Sequence, residues 1–280
     1  MKINSIKTLL EAAIEQLLPT SDSAKLDAEL LLAHCLGKNR SYLYAWSDKK
    51  IDDVTSQRFT QLIKRRLTDY PVAYLLGNQG FWSLDLKVTE DVLIPRSETE
   101  LLVEVALEKI SKLKSPTILD LGTGSGAIAL ALAQERPDAL VIASDYSKKA
   151  LAVAKENAQL NHIKNVNFIH SSWFENIEAQ SFDLIVSNPP YIPADDPHLS
   201  QGIRYEPLQA LSSGKTGLND IRLILQMALT YMQDTTWILI EHGYDQGEAV
   251  PKLMQKAGLQ QVLCIKDYNE NDRLSIGTKG

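Results

Sequence analysis

Thr117-Ile118-Leu119-Asp120-Leu121-Gly122-Thr123-Gly124-Ser125-Gly126-Ala127 passes from a short β-rich run into glycines and then into helix formers. Such a stretch reads as strand, tight turn and helix, the opening unit of a parallel sheet. Downstream, residues 140–143, 166–169, 182–186 and 237–240 repeat the β-rich composition, and helical runs of ten or more residues fit between most of them. That alternation predicts an α/β fold with a mostly parallel sheet covered by helices on both faces. Residues 261–265 and 273–276 make two closing strands. The polar loop between them, 267–272, is too short for a helical crossover, so this last pair is expected to be antiparallel.

Upstream the periodicity changes. Ile6, Leu9, Leu10, Ala13, Ile14 and Leu17 recur at helical spacing, as do Ala28, Leu31, Leu32, Cys35 and Leu36, and later Phe59, Leu62, Ile63 and Leu67. Pro19 to Ser23 separates the first two helices and Gly37 can end the second. Between these helices and the sheet, Phe81, Trp82, Leu84, Leu86 and Val88 alternate, then Val92-Leu93-Ile94 follows. Thr89-Glu90-Asp91 reads as the turn of a hairpin between those runs. Ser97-Glu98-Thr99-Glu100 has the spacing of a capping box, predicting a helix from there to about Lys112. The expected organisation is a helical bundle over 1–77, a β-hairpin linker over 78–96 and a catalytic domain over 97–280.

The 280 residues are 44% hydrophobic and 23% charged, which excludes disordered and fibrous classes. Cys35 and Cys264 stand far apart with no metal-ligand spacing, so neither a disulfide framework nor a zinc site is supported, and a reducing cytoplasm is the expected location. The N-terminal stretch reads as an amphipathic helix, because Glu11 and Glu15 interrupt its apolar residues. No uncharged apolar run is long enough to span a membrane. Residues 1–90 carry a net charge of +1 and residues 91–280 a net charge of −7, so neither part has the field of a dedicated duplex-binding protein. The local run Lys64, Arg65 and Arg66 is expected to be a solvated helix face.

Glycines between strand and helix let a ligand approach bare backbone, which implies a nucleotide-type cofactor. Spacing alone is ambiguous, since Gly122, Gly124 and Ala127 also satisfy the dinucleotide fingerprint, and Asp145 at the end of the next strand suits ribose hydroxyls under either reading. Charge sign discriminates. Asp120 sets a carboxylate just before the loop, where pyrophosphate would be repelled and the ammonium and sulfonium of S-adenosylmethionine would be favoured. After the third strand, Ser172 and Trp173 lie at the sheet's carboxyl edge, where an adenine ring can sit and where ordinary edge packing is an equal alternative for the tryptophan.

Ser187-Asn188-Pro189-Pro190-Tyr191 follows the fourth strand. Two consecutive prolines fix φ and remove two N–H groups, giving a rigid loop that offers carbonyl acceptors without competing donors. This suits a substrate NH2 group, whose planar nitrogen is a poor nucleophile until its hydrogens are held. The Asn188 side-chain oxygen and the Pro189 carbonyl can each accept one hydrogen, and Tyr191 can stack on the planar group.

The glycine loop together with Asn188 to Tyr191 resembles class I S-adenosylmethionine-dependent methyltransferases acting on amino or amide nitrogens. More narrowly, the whole chain resembles the HemK family, the protein-(glutamine-N5) methyltransferases of peptide chain release factors. The likeness extends to Pro71-Val72-Ala73-Tyr74-Leu75-Leu76-Gly77, Phe81-Trp82, Ile94-Pro95-Arg96, Glu241-His242-Gly243 and Asp272-Arg273. Ser97 departs from it, standing where the family usually has proline. The resemblance implies a Rossmann-like seven-stranded sheet behind a helical bundle. It assigns Asp120, Gly122, Thr123, Gly124, Ser125, Gly126, Asp145, Ser172, Trp173 and Asn188 to the cofactor, and Asn188, Pro189, Pro190 and Tyr191 to the substrate glutamine, which lies in a Gly-Gly-Gln loop. S-adenosylhomocysteine is the implied product. The implied partners are release factors, bound by the N-terminal bundle, with no direct nucleic-acid binding, no membrane and a monomeric enzyme. Methylation of an amino group in nucleic acid or of a ribosomal-protein glutamine makes the same demands on the motif and stays open. A nicotinamide oxidoreductase would have no use for Asn188 to Tyr191.

Overall fold

The computed structural model describes residues 5–280. The first four residues of the expected N-terminal helix lie outside the described residues. The chain divides into two compact units, one to Gly77 and one from Asn78.

The first unit is helical: α1 (Ile6–Leu17), α2 (Ala24–Leu36), α3 (Arg40–Ala45), α4 (Asp53–Arg66) and α5 (Val72–Leu76). Ser5, Asn39 and Asp52 begin α1, α3 and α4, each accepting a first-turn N–H with its side chain, which satisfies a donor that has no partner within the helix. The periodic residues Ile6, Ala13, Leu17, Leu31, Leu32, Phe59 and Ile63 are all buried. Arg66 corrects the expectation of a solvated basic face. Its side chain is 13% exposed and pairs with Asp27 at 2.8 Å and Asp69 at 3.0 Å, while the Arg65 guanidinium lies over the Tyr70 ring at 3.9 Å. Buried Asp27 needs a cation, and that need outweighs hydration of the arginine.

The second unit opens with a hairpin, β1 (Asn78–Phe81) and β2 (Leu84–Lys87), paired antiparallel with Phe81 opposite Leu84. The turn is Trp82-Ser83, with Trp82 at φ 55°, and not Thr89 to Asp91 as the sequence suggested. Residues 92–94 form no strand. A long-range contact undoes the expected capping box: the Trp82 N–H donates to the Glu100 carboxylate at 2.7 Å, so Glu100 does not reach back to Ser97. Residues Ser97–Thr99 form one 3-10 turn ahead of α6 (Glu100–Lys109), and the Ser97 hydroxyl bonds Glu98 instead.

Then follow β3 (Thr117–Leu121), α7 (Ala127–Glu135), β4 (Leu140–Asp145), α8 (Lys148–Leu160), β5 (Val166–His170), β6 (Phe182–Ser187), α9 (Asn219–Ala228), β7 (Met232–Glu241), α10 (Ala249–Lys256), β8 (Gln260–Lys266) and β9 (Asp272–Thr278). The seven strands lie in the order β5-β4-β3-β6-β7-β9-β8. Strands β3 to β7 are parallel, and β9 runs antiparallel to both β7 and β8, as the short 267–272 loop required. Adjacent residues of β3 serve opposite faces: Ile118 packs with Leu102, Leu130 and Val141, whereas Leu119 packs with Ile185, Ile224 and Ile238. Burial on both faces explains why these strands read as continuous apolar runs. Strand order reverses between β3 and β6, which places a ligand crevice at the carboxyl ends of those two strands.

Candidate active site

The glycine loop leaves β3 at that crevice. Gly122, Gly124 and Gly126 have φ of 75°, 57° and 88°, conformations that glycine adopts without steric cost. Their roles differ. A Cβ on Gly126 would stand 3.0 Å from Leu130 Cδ1 and 3.2 Å from Ala154 Cβ, so this glycine lets α7 pack. A Cβ on Gly122 would touch the Trp173 ring at 3.4 Å. Asp145 ties the loop to β4: its Oδ2 accepts the Gly124 N–H and its Oδ1 accepts the Ser147 N–H, both at 2.8 Å. A carboxylate has about four acceptor positions, so both oxygens retain one for a ligand. Burial raises the Asp145 pKa, against the lowering effect of these two N–H donors.

A cavity of about 370 Å³ opens beside the loop, lined by Gly122, Gly124, Asp145, Ser172, Trp173, Asn188 and Pro190 among others. It also contains Asp91 and Asp220, and none of its lining residues is Lys, Arg or His. The lining therefore carries the sign that favours a cationic ligand and opposes a pyrophosphate. Asp220, which the sequence reading missed, lies in the first turn of α9. It accepts from the Trp173 indole N–H at 3.3 Å and the Ser213 hydroxyl at 2.5 Å, and its own N–H returns to Ser213 at 2.8 Å. These bonds set the Trp173 ring as a wall of the cavity. No local pattern links Ser213, Asp220 and Trp173; only the fold brings them together.

Asp120 occupies a different place from the one its sequence position suggested. It is fully buried beneath the loop, off the cavity wall, with Oδ2 accepting the Thr123 hydroxyl at 2.6 Å and Oδ1 without a partner. Burial raises its pKa to about 7, with the nearby Asp145 charge contributing in the same direction. The acidic lining is supplied by Asp91, Asp145 and Asp220 instead. Thr123 and Ser125 are buried as well, and the Ser125 carbonyl accepts the Asn157 side-chain amide at 2.8 Å, so both shape the loop from within.

A second cavity of about 210 Å³ is lined by Leu93, Arg96, Asn188, Tyr191, Ile192, Ile203, Ala210 and Leu211. It shares Leu93, Asn188 and Ala210 with the first, so Asn188 stands where the two meet. The loop carrying it is pinned on several sides. Tyr191 and Ile192 N–H groups donate to the Leu211 carbonyl, and the Tyr191 carbonyl accepts from Gln246 at 3.0 Å. A Cβ on Gly217 would fall 2.0 Å from the Tyr191 carbonyl, so that approach requires glycine. Burial and the Glu241 charge raise the Tyr191 pKa, keeping the phenol neutral. Glu206 accepts the Ile94 N–H at 3.0 Å and pairs with Arg96 at 2.5 Å, fixing another edge of the smaller cavity.

The structure thus collects Gly122, Gly124, Asp145, Ser172, Trp173, Asn188 and Pro190 on one cavity and adds Tyr191 on its neighbour. It leaves Asp120, Thr123, Ser125, Gly126 and Pro189 off both linings.

Comparison with known proteins was decisive. Residues 8–77 match the family described as PrmC N-terminal domain, and residues 97–214 match the methyltransferase small domain. A release factor glutamine methyltransferase of Pseudomonas aeruginosa is 48% identical over 276 residues, covering 98% of this chain and 99% of that protein. One from Aliivibrio fischeri is 47% identical over 276 residues, covering 98% and 97%. This chain belongs to the release factor glutamine methyltransferase family. A solved methyltransferase of Pyrococcus furiosus, 18% identical, superposes with a TM-score of 0.53 over 79% of this chain and all but 1% of that one, a likeness of fold. Membership accounts for both matched regions in one chain, and the glutamine in the family's name is an NH2 substrate of the kind the Asn188 loop suits. No helix among the described residues is long and apolar enough to cross a membrane.

Proposed function

We propose that this chain transfers a methyl group from S-adenosylmethionine to the side-chain amide nitrogen of the Gly-Gly-Gln glutamine in peptide chain release factors, with S-adenosylhomocysteine as product. The observation that carries the reading is the meeting of the two cavities at Asn188: a cofactor-sized acidic chamber on one side and a smaller chamber bordered by Tyr191 on the other. The first chamber fits the cofactor by size, by charge sign and by the bare backbone of Gly122 and Gly124. Asp145 takes the ribose hydroxyls there, Ser172 and Trp173 border the adenine, and Asp120, Thr123, Ser125 and Gly126 hold the loop in shape.

When bound, the cofactor supplies an electrophilic methyl on a sulfonium centre. The chain's own residues must then present a nitrogen whose lone pair is delocalised into an amide. Asn188 Oδ1 accepts one N–H hydrogen at the cavity junction, and the carbonyl of Pro189, the next residue along the loop though off both linings, takes the other, so that together they fix the direction of the lone pair. Tyr191 packs against the amide plane. Pro190 keeps the loop from relaxing. Positioning of this kind supplies most of the rate in an in-line displacement. Neither cavity lining contains a His or Lys base. None is required, because the nitrogen becomes acidic as it is alkylated and sheds its proton to water.

In this reading the enzyme is a cytoplasmic monomer, and the helical unit holds the release factor as a protein surface without touching nucleic acid. Its near-neutral charge supports that assignment. The test is to give the full-length enzyme methyl-labelled S-adenosylmethionine and a cell extract. A single labelled band, sensitive to protease and resistant to nuclease, is expected. Nuclease-sensitive label would replace the reading with a nucleic-acid methyltransferase.

A further inference from the structure

Asn188 can serve the substrate only if its carbonyl Oδ1, and not its NH2, faces the cavities, since a substrate amide hydrogen needs an acceptor. Either orientation fills the same space, so something must choose between them. The choice is made behind the residue. Ser187 pairs with Ile240 across β6 and β7, which sets the next residues, Asn188 and Glu241, side by side at the carboxyl edge of the sheet. Glu241 is 1% exposed and its Oε2 has no hydrogen-bond partner. Thr99 and Asn188 are the two polar side chains that bear on its carboxyl group and favour the charged form against burial. Thr99, also buried, accepts from Asn188 Nδ2 at 3.2 Å. Its hydroxyl makes no cap bond to α6 and so remains available to Glu241.

We propose that Glu241, acting directly and through the Thr99 hydroxyl, is the positioning residue that turns the Asn188 NH2 inward and leaves Oδ1 free for the substrate amide. Ionised, as it is above about pH 7, the carboxylate only accepts. With Asn188 reversed, Oδ1 would meet Glu241 and the Thr99 lone pairs, two contacts without a hydrogen between them, while the NH2 would repel the substrate's own N–H. Burial raises the Glu241 pKa to about 7; Thr99 and Arg273 favour its ionised form, and Glu98 opposes it. Neither Glu241 nor Thr99 lines the cofactor chamber. The inference rests on the proposed methylation of an amide, but the orientation itself does not depend on which substrate is bound.

Glu241→Gln tests it, because a primary amide offers donors and acceptors alike and no longer prefers either orientation. Thr99→Val removes the relay separately and covers the case in which the first variant does not fold. Two readouts are used. In the 15N spectrum of the free enzyme, the Asn188 NH2 pair, assigned by its loss in Asn188→Ala, should exchange slowly with solvent in the parent and at least about tenfold faster in either variant. In methylation of a purified release factor, kcat should fall about tenfold with the S-adenosylmethionine Kd unchanged, and neither substitution should reduce the rate further in an Asn188→Ala background. Unprotected Asn188 hydrogens in the parent, unchanged exchange in both variants, or a full additional loss on top of Asn188→Ala would overturn the inference. Protected hydrogens with no release-factor methylation by the parent would instead refute the substrate assignment and leave the positioning role standing.

Discussion

Replacing Asp145 by alanine separates the cofactor assignment from simple loop maintenance. The carboxylate accepts two backbone N–H groups, from Gly124 and Ser147, each at 2.8 Å, and hydrogen bonds to a charged acceptor are worth about 1.5–3 kcal/mol apiece. Losing both destabilises the loop. Burial, however, is the leading influence on this carboxyl and raises its pKa, so its removal also relieves an unfavourable desolvation. The two effects oppose each other, and the net loss of stability should stay near 2 kcal/mol, a fall in Tm of about 4–8 °C for a domain of this size. Affinity has no such offset. Two ribose hydroxyls deprived of their acceptor forfeit at least about 3 kcal/mol at the lower value per bond, which is about 10²-fold in Kd. Calorimetric titration with S-adenosylmethionine and with S-adenosylhomocysteine, well below the variant's Tm, should show weakening by about 10²-fold for both. Parent-like affinity in a folded variant would show that Asp145 organises the loop and does not hold the ribose.

Asn188→Ala should lower kcat in single-turnover methyl transfer by about 10² at saturating cofactor, because the contact it removes is realised in the transition state; a near-normal rate would reduce Asn188 to a shaper of the loop. Asp120 and Glu241 are both held by burial at a pKa of about 7, so the folded state keeps their protons more tightly than the unfolded chain does. Their stabilising contribution is complete below about pH 4 and is lost as pH rises through about 7. Chemical denaturation across that range should show stability falling with pH, and Asp120→Asn should flatten the slope. Arg66→Ala leaves Asp27 buried beside Ser21 without its cation and should cost about 3 kcal/mol in the helical unit, read as a lower midpoint in denaturation; Arg66→Met with Asp27→Leu should recover most of that loss.

What the sequence made legible was the part governed by local chemistry. Apolar runs buried on both faces announced the parallel strands, and a six-residue polar loop was enough to make β8 and β9 antiparallel. The glycine loop and the Asn-Pro-Pro-Tyr loop were legible because each needs special backbone: positive φ in one, missing N–H groups in the other. Failures came where a distant partner outbid a local one. Glu100 had the spacing to cap Ser97 but accepts the Trp82 N–H instead, and the hairpin turns at Trp82-Ser83, directly after β1, and not at Thr89 to Asp91. Arg66 looked solvated until Asp27, 39 residues away, was folded against it. Asp120 showed the right charge in the wrong place, because its neighbour Thr123 turns it inward while Asp91 and Asp220 arrive from elsewhere in the chain. Thr99 and Glu241 sat in segments that were quoted, the expected capping box and Glu241-His242-Gly243, but nothing local gave either a part behind Asn188.

The central claim is that an amide nitrogen of glutamine, held at the junction of the two cavities, receives the methyl group. The most direct measurement is to incubate the full-length enzyme with a purified release factor and methyl-labelled S-adenosylmethionine and to map the product by fragmentation mass spectrometry. One added methyl on the side chain of the Gly-Gly-Gln glutamine, absent when that glutamine is replaced and absent with Asn188→Ala, is the predicted result. A factor left unmodified at that glutamine by an enzyme that demonstrably binds its cofactor, or label carried by any other residue, would contradict the account.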